Sequence, residues 1–187
     1  MAYSRGTSTN IIVGAAALFV ADTTLTPGTL ETPVSSQSFR ETLSSDATYT
    51  NVGYTMNGLE LQFQPDFGEV QVDQILDVAK LYKQGMQVNL ATAFAEATLE
   101  NLLLALAYSD SKLTGNKSQS AGQTLDLSAG DIGECPVERG IVAVGPGTGD
   151  CADSAYIERV YSAYRALSIE NVTVSAKRDE ASMFEVS

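Results

Sequence analysis

At 187 residues the chain has the length of one domain, long enough to bury roughly two thirds of its unfolded surface without a disulfide or a metal. Its residues are 44% hydrophobic and only 18% charged, with no Trp and no His, which removes the imidazole general base and the commonest metal ligand. With 11 basic against 23 acidic residues the net charge is −12, a surface that repels phosphate and excludes a tight nucleic-acid clamp, though not one that lets DNA pass without holding it.

Met1–Asn10 is small and polar and reads as an arm. Ile11 to Ala21 is the longest apolar run, about half of what a membrane helix needs, so no membrane span is expected. The run lies too far from a basic start for a signal peptide, and Gly14 splits it into two strand-like pieces, Ile11–Val13 and Ala17–Val20. Residues 22–50 are dominated by Thr, Ser and Pro over most of their length and read as an extended arm or loop.

Leu59, Leu61 and Phe63 alternate with Glu60, Gln62 and Gln64, the period-2 signature of a half-buried strand. Pro65-Asp66-Phe67-Gly68 has the chemistry of a turn. Val70 and Val72 then alternate with Glu69, Gln71 and Asp73. The expected product is a hairpin whose polar face carries Glu60, Gln62, Gln64, Glu69, Gln71 and Asp73. Ile75–Gly85 reads as a helical turn or a loop with one apolar side, including Leu76, Val78, Lys80, Leu81, Tyr82 and Lys83. Met86–Phe94 alternates again, with Gln87 and Asn89 on its polar side.

Ala95–Tyr108 is the one segment with a helical stripe: Leu99, Leu102, Leu103 and Leu106 fall at i, i+3, i+4 and i+7. Glu96 and Glu100 are expected in its first turns, where carboxylates complement the helix dipole. Residues 109–134 read as a polar surface insertion with a strand-like piece at Thr124–Leu127. Strands are expected at Ile141–Val144, within Tyr156–Ile169, at Val172–Val174 and at Met183–Val186. Seven or eight strands and one helix make a mainly β fold, a sandwich or barrel with a flanking α-helix.

Enzymatic constellations fail one by one. Gly145-Pro146-Gly147-Thr148-Gly149 is followed by Asp150 and Cys151, not by the Lys and Ser/Thr of a phosphate loop. Cys135 and Cys151 have no His partner for a thiol dyad, and two cysteines sixteen residues apart do not make a zinc site. Ser109 to Lys112 matches Ser-x-x-Lys formally but lies in a polar loop, where no buried Lys is available as a base. A glycosidase cleft would need aromatic walls that a 7% aromatic chain without Trp barely supplies. Asn116-Lys-Ser118 and Asn171-Val-Thr173 match the glycosylation triplet by chance. No catalytic residue, cofactor or metal is expected. On its residues alone the acidic hairpin reads first as the solvated face of a sandwich.

Three runs carry a resemblance: Asn51-Val-Gly53-Tyr54-Thr-Met-Asn-Gly58-Leu-Glu-Leu, Val70-Gln-Val-Asp73-Gln74, and Ala95-Glu96-Ala-Thr98-Leu99-Glu100-Asn101-Leu102. Together with Val13–Val20 at the start and the strands around Lys177-Arg178-Asp179-Glu180 near the end, the chain resembles the major tail tube proteins of long, flexible-tailed bacteriophages. The resemblance spans most of the chain and is densest from Gly53 to Leu106. It implies a single tail-tube domain over residues 1–187 that assembles into homo-hexameric rings stacked as a tube. Viral DNA passes through the bore without specific binding. The implied partners are tail-terminator, tape-measure and distal tail proteins, and the implied location is the virion tail, after synthesis in the bacterial cytoplasm.

On that resemblance Glu60, Gln62, Gln64, Glu69, Gln71, Asp73, Gln87 and Asn89 line the bore, and Ile75–Gly85 is the loop reaching the adjacent ring. Members of the family run on past the last strand, so the final strand is expected to be short or completed by a neighbour. Six copies of four strands give 24 strands and a backbone diameter of roughly 37–45 Å. After side chains this leaves roughly 30 Å, enough for a duplex about 20 Å wide. A terminator or head–tail connector ring, or a secretion-type tube, would share the same architecture.

Overall fold

The computed structural model describes residues 12, 14–30, 32–73, 77–115, 122–128, 135–148, 157–169, 171–174, 178 and 184–186. The expected arm Met1–Asn10, Cys151 and Leu76 lie outside them. The described elements are β1 (Ala17–Ala21), α1 (Phe39–Ser45), β2 (Tyr49–Asn51), β3 (Thr55–Gln71), β4 (Val78–Phe94), α2 (Leu99–Ala105), a 3₁₀ turn (Asp110–Lys112), β5 (Leu113–Thr114), β6 (Thr124–Leu125), β7 (Arg139–Pro146), β8 (Glu158–Ala166) and β9 (Phe184–Val186). The fold is mainly β. One sheet has the order β2-β1-β7-β8, a second β3-β4-β9, and β5-β6 form a short ribbon; every pairing is antiparallel.

The first sheet is covered on both faces, which is why β1 reads as an unbroken apolar run rather than an alternation. Leu18, Val20 and Ala143 point to one side and meet Val52, Phe94, Leu102 and Phe184. Phe19, Val142 and Val144 point to the other and meet Phe39 and Leu43 of α1. Complete burial of a Phe or Val side chain contributes about 1.5–3 kcal/mol, so α1 is as much a part of the core as the sheet it covers.

The expected open loop across residues 22–50 is therefore corrected. Phe39 and Leu43, four apart, form the apolar stripe of a two-turn helix, and Leu25 and Leu30 pack against the same cluster. Ser38, the N-cap residue, makes no side-chain cap; Glu158 from β8 takes that part, accepting from Phe39 N at 2.5 Å and from Ser38 Oγ at 3.4 Å. Arg40 sits 3.6 Å from the same carboxylate.

The leucine helix is shorter than its stripe predicts. Thr98 is extended and caps α2 by accepting from Asn101 N at 3.2 Å. Glu96, expected inside the helix, lies before it and accepts instead from Tyr54 N at 2.9 Å. At the far end Ala107 adopts φ 53° and closes the helix. Leu102 and Leu103 are buried, while Leu99 and Leu106 are partly buried against the core. Asn101, also buried, donates to the carbonyls of Val52 and Glu96, both at 2.9 Å, and so locks α2 onto the chain entering β3.

Arg139, at the start of β7, is 6% exposed. It donates to Asp110 at 2.7 Å and to the Tyr108 carbonyl at 3.1 Å, and lies 3.6 Å from Asp22. Val172–Val174, read above as a strand, has no strand structure; Val172 packs on the core and Val174 is exposed.

Candidate functional site

The most unusual element is the β3–β4 hairpin. Each strand has 17 residues, about 55 Å of extended chain against a mean strand of about 5–6 residues. Pro65-Asp66-Phe67-Gly68 is not a turn: β3 runs straight through it, with Pro65 opposite Met86 and Gly68 opposite Tyr82. The reversal lies between Gln71 and Val78. The two predicted strands 59–64 and 69–74 therefore belong to a single strand as far as Gln71, with Val72 and Asp73 beyond its end. The expected inter-ring loop is corrected too. Val78, Lys80, Leu81, Tyr82 and Lys83 are β4 residues paired with β3.

A continuous strand changes which side chains share a face. β3 alternates without interruption past the irregularity at Asp66/Phe67, where Asp66 faces Gly85 and Phe67 faces Lys83, so the extra residue, Gln84, belongs to β4. One face thus carries Glu60, Gln62, Gln64, Asp66, Gly68 and Val70 with, across the ladder, Ala91, Asn89, Gln87, Gly85, Tyr82 and Lys80. The other carries Leu59, Leu61, Phe63, Pro65, Phe67, Glu69 and Gln71 with Thr92, Leu90, Val88, Met86, Lys83, Leu81 and Val78. Of the eight residues expected to line one polar surface, the structure brings together Glu60, Gln62, Gln64, Gln87 and Asn89. Glu69 and Gln71 stand on the opposite face, and Asp73 lies beyond β3. Asp66 joins the polar face in their place. Its signal was present in the sequence: the odd-numbered apolar residues keep their phase through Phe67, which a real turn at 65–68 has no reason to preserve.

Near the body, the apolar face lies over the first sheet. Leu61, Phe63, Val88 and Leu90 share an open cleft of about 580 Å³ with Leu18, Val20, Ile141 and Val160. Farther out nothing among the described residues covers it, and Phe67 and Leu81 remain 56% and 61% exposed. The polar face consequently points away from the body. The ribbon leaves the body at Asn57-Gly58, two successive left-handed residues (φ 65° and 75°) inside the register break between Met56 and Leu59. Thr92 Oγ1 holds this bulge through the Gly58 carbonyl at 2.8 Å.

The edges are as informative as the faces. β3 pairs with no described strand except β4, and β4 pairs on its other side only at Thr92–Phe94, with β9. Most of the ribbon thus presents two open edges.

Shifted ionisations occur away from the hairpin. Hydrogen bonds from Arg165 hold the Glu138 carboxyl below its ordinary value, and those from Thr48 do the same for Asp46. Burial pushes the Tyr49 phenol up. Among the described residues, no group of three or more Cys, Asp or Glu side chains is placed to hold a metal, and no helix is long and apolar enough to cross a membrane. No protein-family model matches the chain, and no curated relative is found.

Proposed function

We propose that this protein is a structural subunit of a phage-type tail tube, stacking as hexameric rings around a bore that conducts DNA, and that it catalyses no reaction. The observation that carries the reading is the long amphipathic ribbon with two open edges. A two-stranded hairpin alone in water is marginal at best, and a long unpaired edge invites strand addition. Joining copies edge to edge satisfies both edges and turns each local face into one continuous wall. The tail-tube resemblance of residues 51–106 supplies the same arrangement.

The dimensions constrain how closure works. Six β3–β4 ribbons alone give 12 strands and a backbone diameter of roughly 18–24 Å, too narrow for a duplex once side chains are added. Four strands per copy restore the roughly 37–45 Å of a DNA conduit. The second hairpin in the structure is β7–β8, and β8 is an open edge of the first sheet. Because β7 lies inside a sheet covered on both faces, the first sheet can join a neighbouring copy through the edge of β8 but does not present β7 to a bore. The apolar half of each ribbon beyond the cleft, around Phe67 and Leu81, is buried against a neighbouring copy.

Electron microscopy of the purified full-length protein tests the proposal. Hollow tubes of stacked rings are expected. Single rings that never stack would favour a terminator or connector, and a monomer at high concentration would overturn the tube altogether.

A further inference from the structure

The two open edges of the ribbon carry opposite charge. β3 contains Glu60, Asp66 and Glu69 and no base, whereas β4 contains Lys80 and Lys83 and no acid. The open edge of the first sheet, β8, is basic in effect. Its one acid, Glu158, is taken up inside the chain by Phe39 N, Ser38 Oγ and Arg40. Arg165 pairs with Glu138 at 2.6 Å, and Arg159 is exposed and makes no ion pair among the described residues. Asp66 and Glu69 make none either.

The lengths of free edge also agree. Leu25 N donates to the Tyr164 carbonyl at 2.9 Å, so the far end of β8 is engaged and residues 158–163 remain free. On β3, residues 59–64 lie beside the cleft over the chain's own first sheet. Residues 66–71 lie beyond it, equal in number to the free stretch of β8, and hold two of the three acids. Asp66 and Glu69 stand on opposite faces of β3. Whichever face of a joined sheet Arg159 occupies, one of the two carboxylates shares it.

Resting on the tube reading above, we infer that residues 66–71 of β3 add as a strand to residues 158–163 of β8 in a second copy, and that charge makes β3 rather than β4 the strand accepted. Main-chain hydrogen bonds hold such a joint together, and an exposed ion pair adds little to its strength. Charge acts instead by exclusion. Lys80 and Lys83 laid beside Arg159 set like charges together, as does β3 laid beside another β3, so both of these joints are rejected. The accepted joint uses different surfaces on its two copies. It therefore runs head to tail, the kind of contact that closes rings.

The test follows assembly of the full chain by light scattering and electron microscopy in dilute buffer and in about 1 M salt. Asp66→Lys/Glu69→Lys and Arg159→Glu each give the two mating strands the same sign. Each alone should need about tenfold more protein to assemble in dilute buffer. In 1 M salt, where the Debye length is about 3 Å, each should come within about twofold of wild type. Mixing the two variants, or combining the three substitutions in one chain, should restore assembly in dilute buffer. Lys80→Glu/Lys83→Glu should assemble like wild type. All five positions are exposed, so melts of the dissociated chains should barely move, and lost assembly is not lost folding. Assembly indifferent to the reversals, no rescue on combining them, or loss caused by the Lys80/Lys83 pair would overturn the inference. A wild type that never assembles defeats the tube reading itself, whereas wild-type tubes with unaffected variants defeat only this inference.

Discussion

Arg139 offers a test in which the larger effect comes from the more exposed residues. Its guanidinium is buried, yet its two counter-charges are not: the side chains of Asp22 and Asp110 are 60% and 63% exposed. Replacing both by Asn removes both counter-charges and leaves a buried cation with neutral acceptors alone, the new carboxamide oxygens and the Tyr108 carbonyl at 3.1 Å. Stripping a buried charge of its partners costs about 3–5 kcal/mol, which for a chain of this size lowers the melting temperature by roughly 6–20 °C. Arg139→Met is the opposite case. It removes the buried charge itself, returns two carboxylates to solvent they already touch, and forfeits one hydrogen bond to a carbonyl, about 1 kcal/mol. Thermal unfolding followed by circular dichroism should therefore rank the proteins wild type, Arg139→Met, then Asp22→Asn/Asp110→Asn, in falling stability. A double Asn variant more stable than Arg139→Met would refute the claim that burial of the cation, rather than the number of ion pairs, sets the energetics here.

Leu103, 2% exposed in α2, should cost about 2–5 kcal/mol on Leu103→Ala in a denaturant titration. Gly53 has φ +84°, and a Cβ there would overlap the Glu96 carboxylate, whereas at Gly58 (φ +75°) it would meet open space. Gly53→Ala should thus destabilise clearly more than Gly58→Ala in paired melts, although both pay the left-handed penalty of about 1–2 kcal/mol. The lowered pKa of Asp46 favours the folded state above the ordinary carboxylate value, and that advantage is lost as pH falls through the lower folded value; the melting difference between wild type and Asp46→Asn should shrink across the same acid range. Phe67→Asp alters an exposed position, so the melt of the dissociated chain should move by no more than about 0.5 kcal/mol, while tube formation should stop.

How much of this was legible in the sequence depended on which signal was local. Alternation placed Leu59–Gln64 and Met86–Phe94 in strands because side-chain period is a property of the chain itself. The leucine stripe located α2, but its ends were set by groups distant in sequence: Glu96 is drawn off to Tyr54, and Asn101 to Val52. Turn chemistry misled at Pro65–Gly68, where three turn-forming residues, Pro65, Asp66 and Gly68, sit inside an edge strand held by its partner. That single error moved Glu69 and Gln71 to the wrong face and hid Asp66. Helix α1 was missed because Phe39 and Leu43 supply only one stripe contact within a Thr/Ser-rich stretch, and its N-terminus is capped from β8 by Glu158. No local pattern could show the pairing of Gln62 with Asn89, since it follows from where the hairpin turns.

Pro65 bears on how the open edge of β3 would accept a strand from another copy. An antiparallel edge strand turns its N–H groups alternately toward its partner and outward, and proline is accommodated where the outward group would have been. The open side of β3 is therefore a row of donors with a gap near its middle. An incoming strand can form an uninterrupted ladder on either side of that gap but not across it. Sliding by a pair of residues shifts the gap against different acceptors, so one alignment is distinguished from its near neighbours. The same gap is a poor template for indiscriminate strand stacking, so in the proposed assembly this open edge would carry a mark that both phases the correct joint and discourages amyloid-like ones.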